Sequence, residues 1–331
     1  MPKFAVTLAS GCALALAAGF GAAPSRAELV IQFGTTSQPG SVQVASAEEY
    51  VKRVNARLSG IARMELYHSS QLGSDKDMLQ KVKLGTLDIS QPSTITSTIT
   101  PEFGLFDMPY LVKDRAHMRC IAKEIVWPIL APKLEEKGYK LLGVWENGVR
   151  QVTNNVRPIV TPADLRGLKI RIPQGVWRAK MFEAYGAAPV PMGFAELFVA
   201  LQTGVVDGQE NPYVNIESGK FQEVQKYLSE TNHVYTPSFP MTSVRKFKSY
   251  PEAVQKALLE EATPVQEWTY ELAEKEDGAS RDRLIKAGMQ FNKADRDAFV
   301  AASGPVYELF AKEVPGGKEL IDKALALAKG C

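Results

Sequence analysis

The sequence predicts an α/β protein of two domains, and three observations predict it. Its 331 residues exceed what one hydrophobic core usually serves. Short apolar strand patterns alternate with helix patterns along most of the chain, as in α/β folds. Polar residues gather at the ends of several strands, where open α/β sheets bind ligands. Hydrophobic residues make up 45% and charged residues 23%, ordinary for a globular protein. A formal net charge of +2 supplies no basic face, so nucleic acid is not expected as a partner.

The elements follow in order. Lys3 precedes an alanine-rich apolar run from Phe4 to Ala23, and Ser25-Arg26-Ala27 fits a small-x-small cleavage site. This predicts a signal peptide over residues 1–27 and a mature start at Glu28. A membrane anchor is the alternative by length, but the Gly/Ala content and the Ser-x-Ala ending favour cleavage. A lipid anchor on Cys12 would leave most of the apolar run after it. Glu28 to Gly34 is a first strand, and Thr35 to Gly40 a polar loop well placed to meet a ligand. A helix from Val44 to Leu58, a strand at Met64 to Tyr67 and a helix from Asp77 to Leu84, ended by Gly85, come next. Leu87 to Ile89 is a short strand running into Ser90-Gln91-Pro92-Ser93. Asp114 to Leu134 reads as helical, with Pro128 a kink or break. Leu141 to Trp145 is a strand, and Thr161-Pro162 with Asp164 starts a helical turn.

The stretch from Leu168 to Pro212 organises the rest. Leu168, Ile170 and Ile172 form a strand pattern that carries Arg171 in its middle, and Pro173 and Gly175 break it. Trp177, Met181, Phe182 and Tyr185 share a helix face, ended by Gly186. A strand at Pro189 to Met192, a helix from Ala195 to Gln202 and the segment Gly208-Gln209-Glu210-Asn211-Pro212 follow. Asn215 to Leu228 reads as a helix and Val234 to Pro237 as a return strand. Pro251 opens a long helix running past Arg283, or two helices broken near Gly278. Short helices close the chain from Phe291 to Ala328. Cys120 and Cys331 are the cysteines left after export, and the sequence leaves their pairing open.

The segments QLGSDKDML, KLGTLDIS, FDMPYL, LKIRIP, GAAPVPMGFAELFVALQTGVVDGQENP and FQEVQKYLSETNH are similar to those of the solute-binding proteins of tripartite ATP-independent periplasmic (TRAP) transporters, of the DctP type. The resemblance covers most of the mature chain. It implies a two-domain, periplasmic-binding-protein-like fold with a hinge, strands shared between the domains and a long helix spanning both. The expected division is 28–147 plus 237–277 for one domain and 148–236 plus 278–331 for the other. The implied function is capture of a small organic acid in the periplasm by a monomer and its delivery to a separate TRAP permease.

An arginine inside an apolar strand needs a partner, because burying it unpaired is costly. Taken alone, Arg171 is either a structural ion pair or a ligand group. The resemblance makes it the clamp on the ligand's carboxylate, a role suited to a guanidinium fork. The resemblance also assigns ligand contacts to Arg150, Asn211 and Phe194, and weaker ones to Gln91 and Ser93. Arg150 could otherwise form a surface ion pair, and Phe194 belong to the core. Trp177 either narrows the pocket or packs in the core, and as a pocket residue it favours a ligand with an apolar portion.

No GxSxG, HExxH, P-loop or GxGxxG motif occurs, and the three histidines lack metal-ligand spacing. No catalysis, cofactor or metal ligand is therefore expected. Two alternatives stay open at this level. One is a receptor module that presents its ligand to a membrane sensor. The other is an exported enzyme acting on an organic acid.

Overall fold

The computed structural model describes residues 1–3, 5 and 28–331. The signal peptide and cleavage site expected over residues 1–27, and Cys12 with them, lie outside the described residues but for residues 1–3 and 5. The strands are β1 (Leu29–Gly34), β2 (Ala62–Tyr67), β3 (Ile89–Ser90), β4 (Tyr139–Leu141), β5 (Trp145–Asn154) and β6 (Lys169–Ile172). They continue as β7 (Ala188–Pro191), β8 (Gly208–Pro212), β9 (Tyr227–Glu230), β10 (Tyr235–Ser238), β11 (Met241–Ser243) and β12 (Gln290–Lys293). They build two sheets, one in the order β2-β1-β3-β11-β4, the other β12-β9-β5-β8-β6-β7 with β10 beside β5.

The chain passes between the sheets at two neighbouring places. It leaves the first sheet after β4, enters the second at β5, and returns from β10 to β11. The two crossings are tied by Leu142, whose N–H donates to the Pro240 carbonyl at 2.9 Å. A third connection is the helix Ala262–Lys286. Its Ala262 and Val265 pack with Phe33, Tyr50 and Trp145 under the first sheet. Its Leu284 packs with Leu197, Ile216 and Phe221 under the second. The fold is thus mixed α/β, with two chain crossings between two lobes and one long helix running along both.

Local chemistry explains most boundaries. Ser41 caps the helix Val42–Arg57 by accepting from the Val44 N–H. Ser74 and Asp77 form a capping box on Asp75–Leu84, and Gly85, at φ 81°, ends that helix in the left-handed conformation. In β6, Ile170 and Ile172 are fully buried, and the period of two turns Arg171 to the other face.

Several elements differ from the sequence pattern. The expected strand at Leu141 to Trp145 is split by the crossing, and the polar segment after it is the ten-residue strand β5. Its polar groups are tolerated because β8, β9 and β10 satisfy its backbone. Pro128 does not break its helix. A π-helical stretch, Ala122–Leu130, absorbs the missing donor. The helix expected over Asn215 to Leu228 ends at Ser218, Lys220 turns left-handed at φ 57°, and the chain re-enters the sheet as β9. The long helix is broken at Glu261, between Glu252–Glu260 and Ala262–Lys286, not near Gly278. Cys120 and Cys331 are joined in a disulfide that ties the chain's last residue to the helix Arg115–Ile121.

Candidate functional site

A cavity lies between the two lobes, with about 600 Å³ of unfilled space, part of it open to solvent. From the first lobe come Thr36, Ser37, Gln43, Asp75, Ser93 and Thr94; from the second come Arg150, Arg171, Phe194, Asn211 and Asn215, with Asn147 at the crossing where β5 begins. The polar loop after β1 thus reaches the cavity, as its composition suggested.

Arg171 is 3% exposed. Its Nε and Nη2 both donate to the Met192 carbonyl, at 3.0 and 2.7 Å. Its guanidinium lies 5.9 Å from the Phe194 ring centroid. No carboxylate of the described residues forms a salt bridge with it. Burial, helped by the like charge of Arg150, pulls its pKa down to about 10. The carbonyl and the ring fix the side chain's direction, while Glu210 and Asp75 act on its charge only from a distance.

Arg150, 2% exposed, is answered. It pairs with Glu210 through Nε, and its Nη2 donates to Asn211 Oδ1 at 3.0 Å. Glu210 also accepts from Arg178 Nη1 at 2.8 Å and faces His233 Nε2 at 3.1 Å. Arg178 in turn donates to Asp107 Oδ1 at 2.8 Å. Burial works against the Glu210 charge, but Arg150, Arg178 and His233 together hold its carboxyl well below the usual range. Burial pushes His233 down, which favours a neutral ring donating to Glu210.

The remaining predicted residues divide. Phe194 lines the cavity and packs on Phe221 at 5.7 Å between centroids. Asn211 lines it too, with Oδ1 accepting from Arg150 and Nδ2 donating to Gln209 Oε1 at 2.6 Å, which leaves one N–H of its amide. Ser93 lines it while donating to the Pro237 carbonyl at 2.7 Å. Gln91 is not in the cavity. It is 2% exposed and donates to Ser46 and Ser238, each at 3.1 Å, so it ties β3 to β10 instead. Trp177 is also away from it. The helix Val176–Ala184 turns its buried face, Trp177 with Met181 and Phe182, into the core. There the indole meets Phe310 at 4.9 Å and lies against Gly104. The leaning toward a ligand with an apolar portion, which rested on Trp177, loses its basis.

Sequence reasoning missed Asp75, Gln43, Asn147 and Asn215, and named Thr36 only as part of its polar loop. Asp75 opens a capped helix and reads as a first-turn acid of the ordinary kind. In the structure Thr36 Oγ1 donates to both of its carboxylate oxygens at 3.2 Å. Burial pushes its pKa up to about 6, against the pull of Thr36 and Arg171. Asn215 Nδ2 donates to Asn147 Oδ1 at 2.8 Å, and Asn215 Oδ1 is buried without a partner.

Residues 33–313 match the DctP model, described as bacterial extracellular solute-binding protein, family 7. The chain is 36% identical over 295 residues to the 2,3-diketo-L-gulonate-binding periplasmic protein YiaO of Escherichia coli strain K12, spanning 88% of this chain and 90% of that one. A crystal structure of a TRAP periplasmic solute-binding protein from Polaromonas sp. JS666, bound to D-erythronate, matches with TM-score 0.85 and 34% identity. That match covers 90% of this chain and 99% of the other. A second, from Sulfurospirillum deleyianum DSM 6946 with bound succinate, matches with TM-score 0.86 and 29% identity over 91% and 100% of the two chains.

Proposed function

We propose, from the premise that this chain belongs to the DctP family of bacterial extracellular solute-binding proteins, family 7, that it captures a small organic acid in the cavity between its lobes and hands it to a TRAP permease. The family is one of periplasmic solute receptors, and solved relatives hold carboxylates such as erythronate and succinate. For this chain the carrying observation is Arg171, a buried guanidinium that lines the cavity between the lobes and forms no salt bridge with any carboxylate of the described residues. Burying an unanswered cation is costly, and a ligand carboxylate removes that cost while accepting two parallel hydrogen bonds.

The protein acts as a monomer, is exported by a signal peptide over 1–27, and performs no chemistry on its ligand. Its domains are 28–147 with 237–277, and 148–236 with 278–331. A ligand touching both lobes favours the closed arrangement by its differential contacts. Support comes from the cavity lining, which draws on both sheets, and from the two adjacent crossings that form a compact hinge.

Isothermal calorimetry against a panel of organic acids tests this reading. At least one carboxylate binds the parent. In Arg171→Ala its affinity drops by about 2–5 kcal/mol, the loss typical of truncating one partner of a buried charge pair. An affinity within about threefold of the parent, some 0.7 kcal/mol, would make Arg171 a structural residue.

A further inference from the structure

Among the described residues, Asp75 is the one acidic residue that lines the cavity, and it faces the same space as Arg171. No basic side chain of the described residues pairs with it; its hydrogen bonds come from Thr36 alone. We propose that Asp75 sets the substrate class, selecting polyhydroxylated monocarboxylates and rejecting dicarboxylates. This rests on the reading that Arg171 takes a carboxylate.

The argument is one of counting charges and hydrogen-bonding groups. The cavity lining contains two cations, Arg150 and Arg171. Arg150 is paired with Glu210, so Arg171 is the cation left for the ligand. One carboxylate on Arg171 uses it. A second carboxylate at the other end of the molecule finds no cation and meets Asp75, a like charge in a partly desolvated place, which is a repulsive element of the kind that creates specificity. A hydroxyl in that position finds the reverse. An ionised carboxylate only accepts, and an O–H donated to it forms a charge-assisted bond. The rest of the lining continues the same chemistry. Asn215 Oδ1 is a second acceptor, buried and unpartnered. Gln43 accepts from Ser37 through Oε1, and Asn147 accepts from Asn215 through Oδ1, so the NH₂ of each amide is not used in these bonds. Such groups match a chain of hydroxyls and leave an alkyl or aryl chain with unmade bonds opposite it. A site built to hydrogen-bond a hydroxyl rejects the analogue that lacks it far more strongly than an apolar pocket rejects an added one.

The test compares acids matched in chain length by calorimetry: D-erythronate against succinate, and D-gluconate against adipate, with benzoate as an apolar monocarboxylate. The parent binds at least one of the polyhydroxy acids about tenfold or more tighter than its matched dicarboxylate and than benzoate. Asp75→Asn removes the charge with little change of shape. It weakens the polyhydroxy acid and narrows its lead over the dicarboxylate by about tenfold or more. Asp75→Ala serves in the same way should the asparagine variant fail to fold by circular dichroism. A dicarboxylate or benzoate bound as tightly as the polyhydroxy acids overturns the inference, as does an Asp75 variant with the parent's ratio. Carboxylate binding through Arg171 survives either of those outcomes. A folded parent that binds none of these acids overturns the carboxylate reading and this inference together.

Discussion

Three buried arginines stand on the wall of the second lobe, and two of them differ from the third in one respect. Arg150 and Arg178 both meet Glu210, and Arg178 also meets Asp107. Arg171, on the strand beside β8, meets a backbone carbonyl and an aromatic ring but no carboxylate. The Glu210 cluster is therefore complete in itself, with each cation answered by the fold. Around Arg171 no salt bridge is made within the described residues, and an entering carboxylate can make one. The same residue type at the same depth serves stability in one region and recognition in the other, and counter-charge tells them apart where burial does not.

The largest expected effect strikes the complete region. Glu210→Gln keeps the shape of the side chain but leaves Arg150 and Arg178 with Asp107 as their one remaining anion. Breaking a buried pair in this way costs about 3–5 kcal/mol. Urea unfolding should show that loss, and a midpoint equal to the parent's would dissolve the distinction between the regions. Next comes the core packing around Trp177. A Cβ at Gly104 would lie 2.0 Å from Trp177 Cδ1, so Gly104→Ala must push the indole out of its place. Overpacking of this kind costs about 1–3 kcal/mol, read by the same unfolding curves. Such a loss would confirm that Trp177 serves the core.

A smaller effect belongs to the cavity. The Asp75 carboxyl is raised from 3.8 to about 6, so the folded state holds its proton more tightly than the unfolded chain does. The sign follows: its contribution to stability is fully present below about pH 4 and is lost as pH rises through about 6. Asp75→Asn removes that dependence. Relative to the parent, the variant should gain stability between about pH 4 and 7, by on the order of 1–2 kcal/mol for a group that is not fully buried. Thermal unfolding of the ligand-free proteins across that range reads the difference. A flat difference would mean that the cavity imposes no cost on its own acid.

Much of this was legible in the sequence. The alternation of Ile170, Arg171 and Ile172 put the arginine on the face opposite the core, and the turn chemistry marked most helix ends. The unread parts depend on distance along the chain. Glu210 reads as part of a loop-like polar segment, and its partners lie 60 and 32 residues away, where no local pattern reaches. Asp75 is indistinguishable from a helix-capping acid until the fold brings Thr36, 39 positions earlier, against it. Trp177 and Gln91 lay close in sequence to cavity residues, but helix phase and hinge hydrogen bonds turned them elsewhere.

The central claim is that Arg171 is held ready for a ligand and not for the fold. Ligand-free Arg171→Met tests it most directly by urea unfolding at neutral pH, because methionine keeps the apolar stem and discards the charge. The account predicts stability within about 1 kcal/mol of the parent, or above it, since a buried charge without a salt bridge is removed and only the weaker pull on Asp75 is lost with it. A loss of about 3 kcal/mol or more, matching that of Glu210→Gln, would contradict it and make Arg171 a member of the structural network.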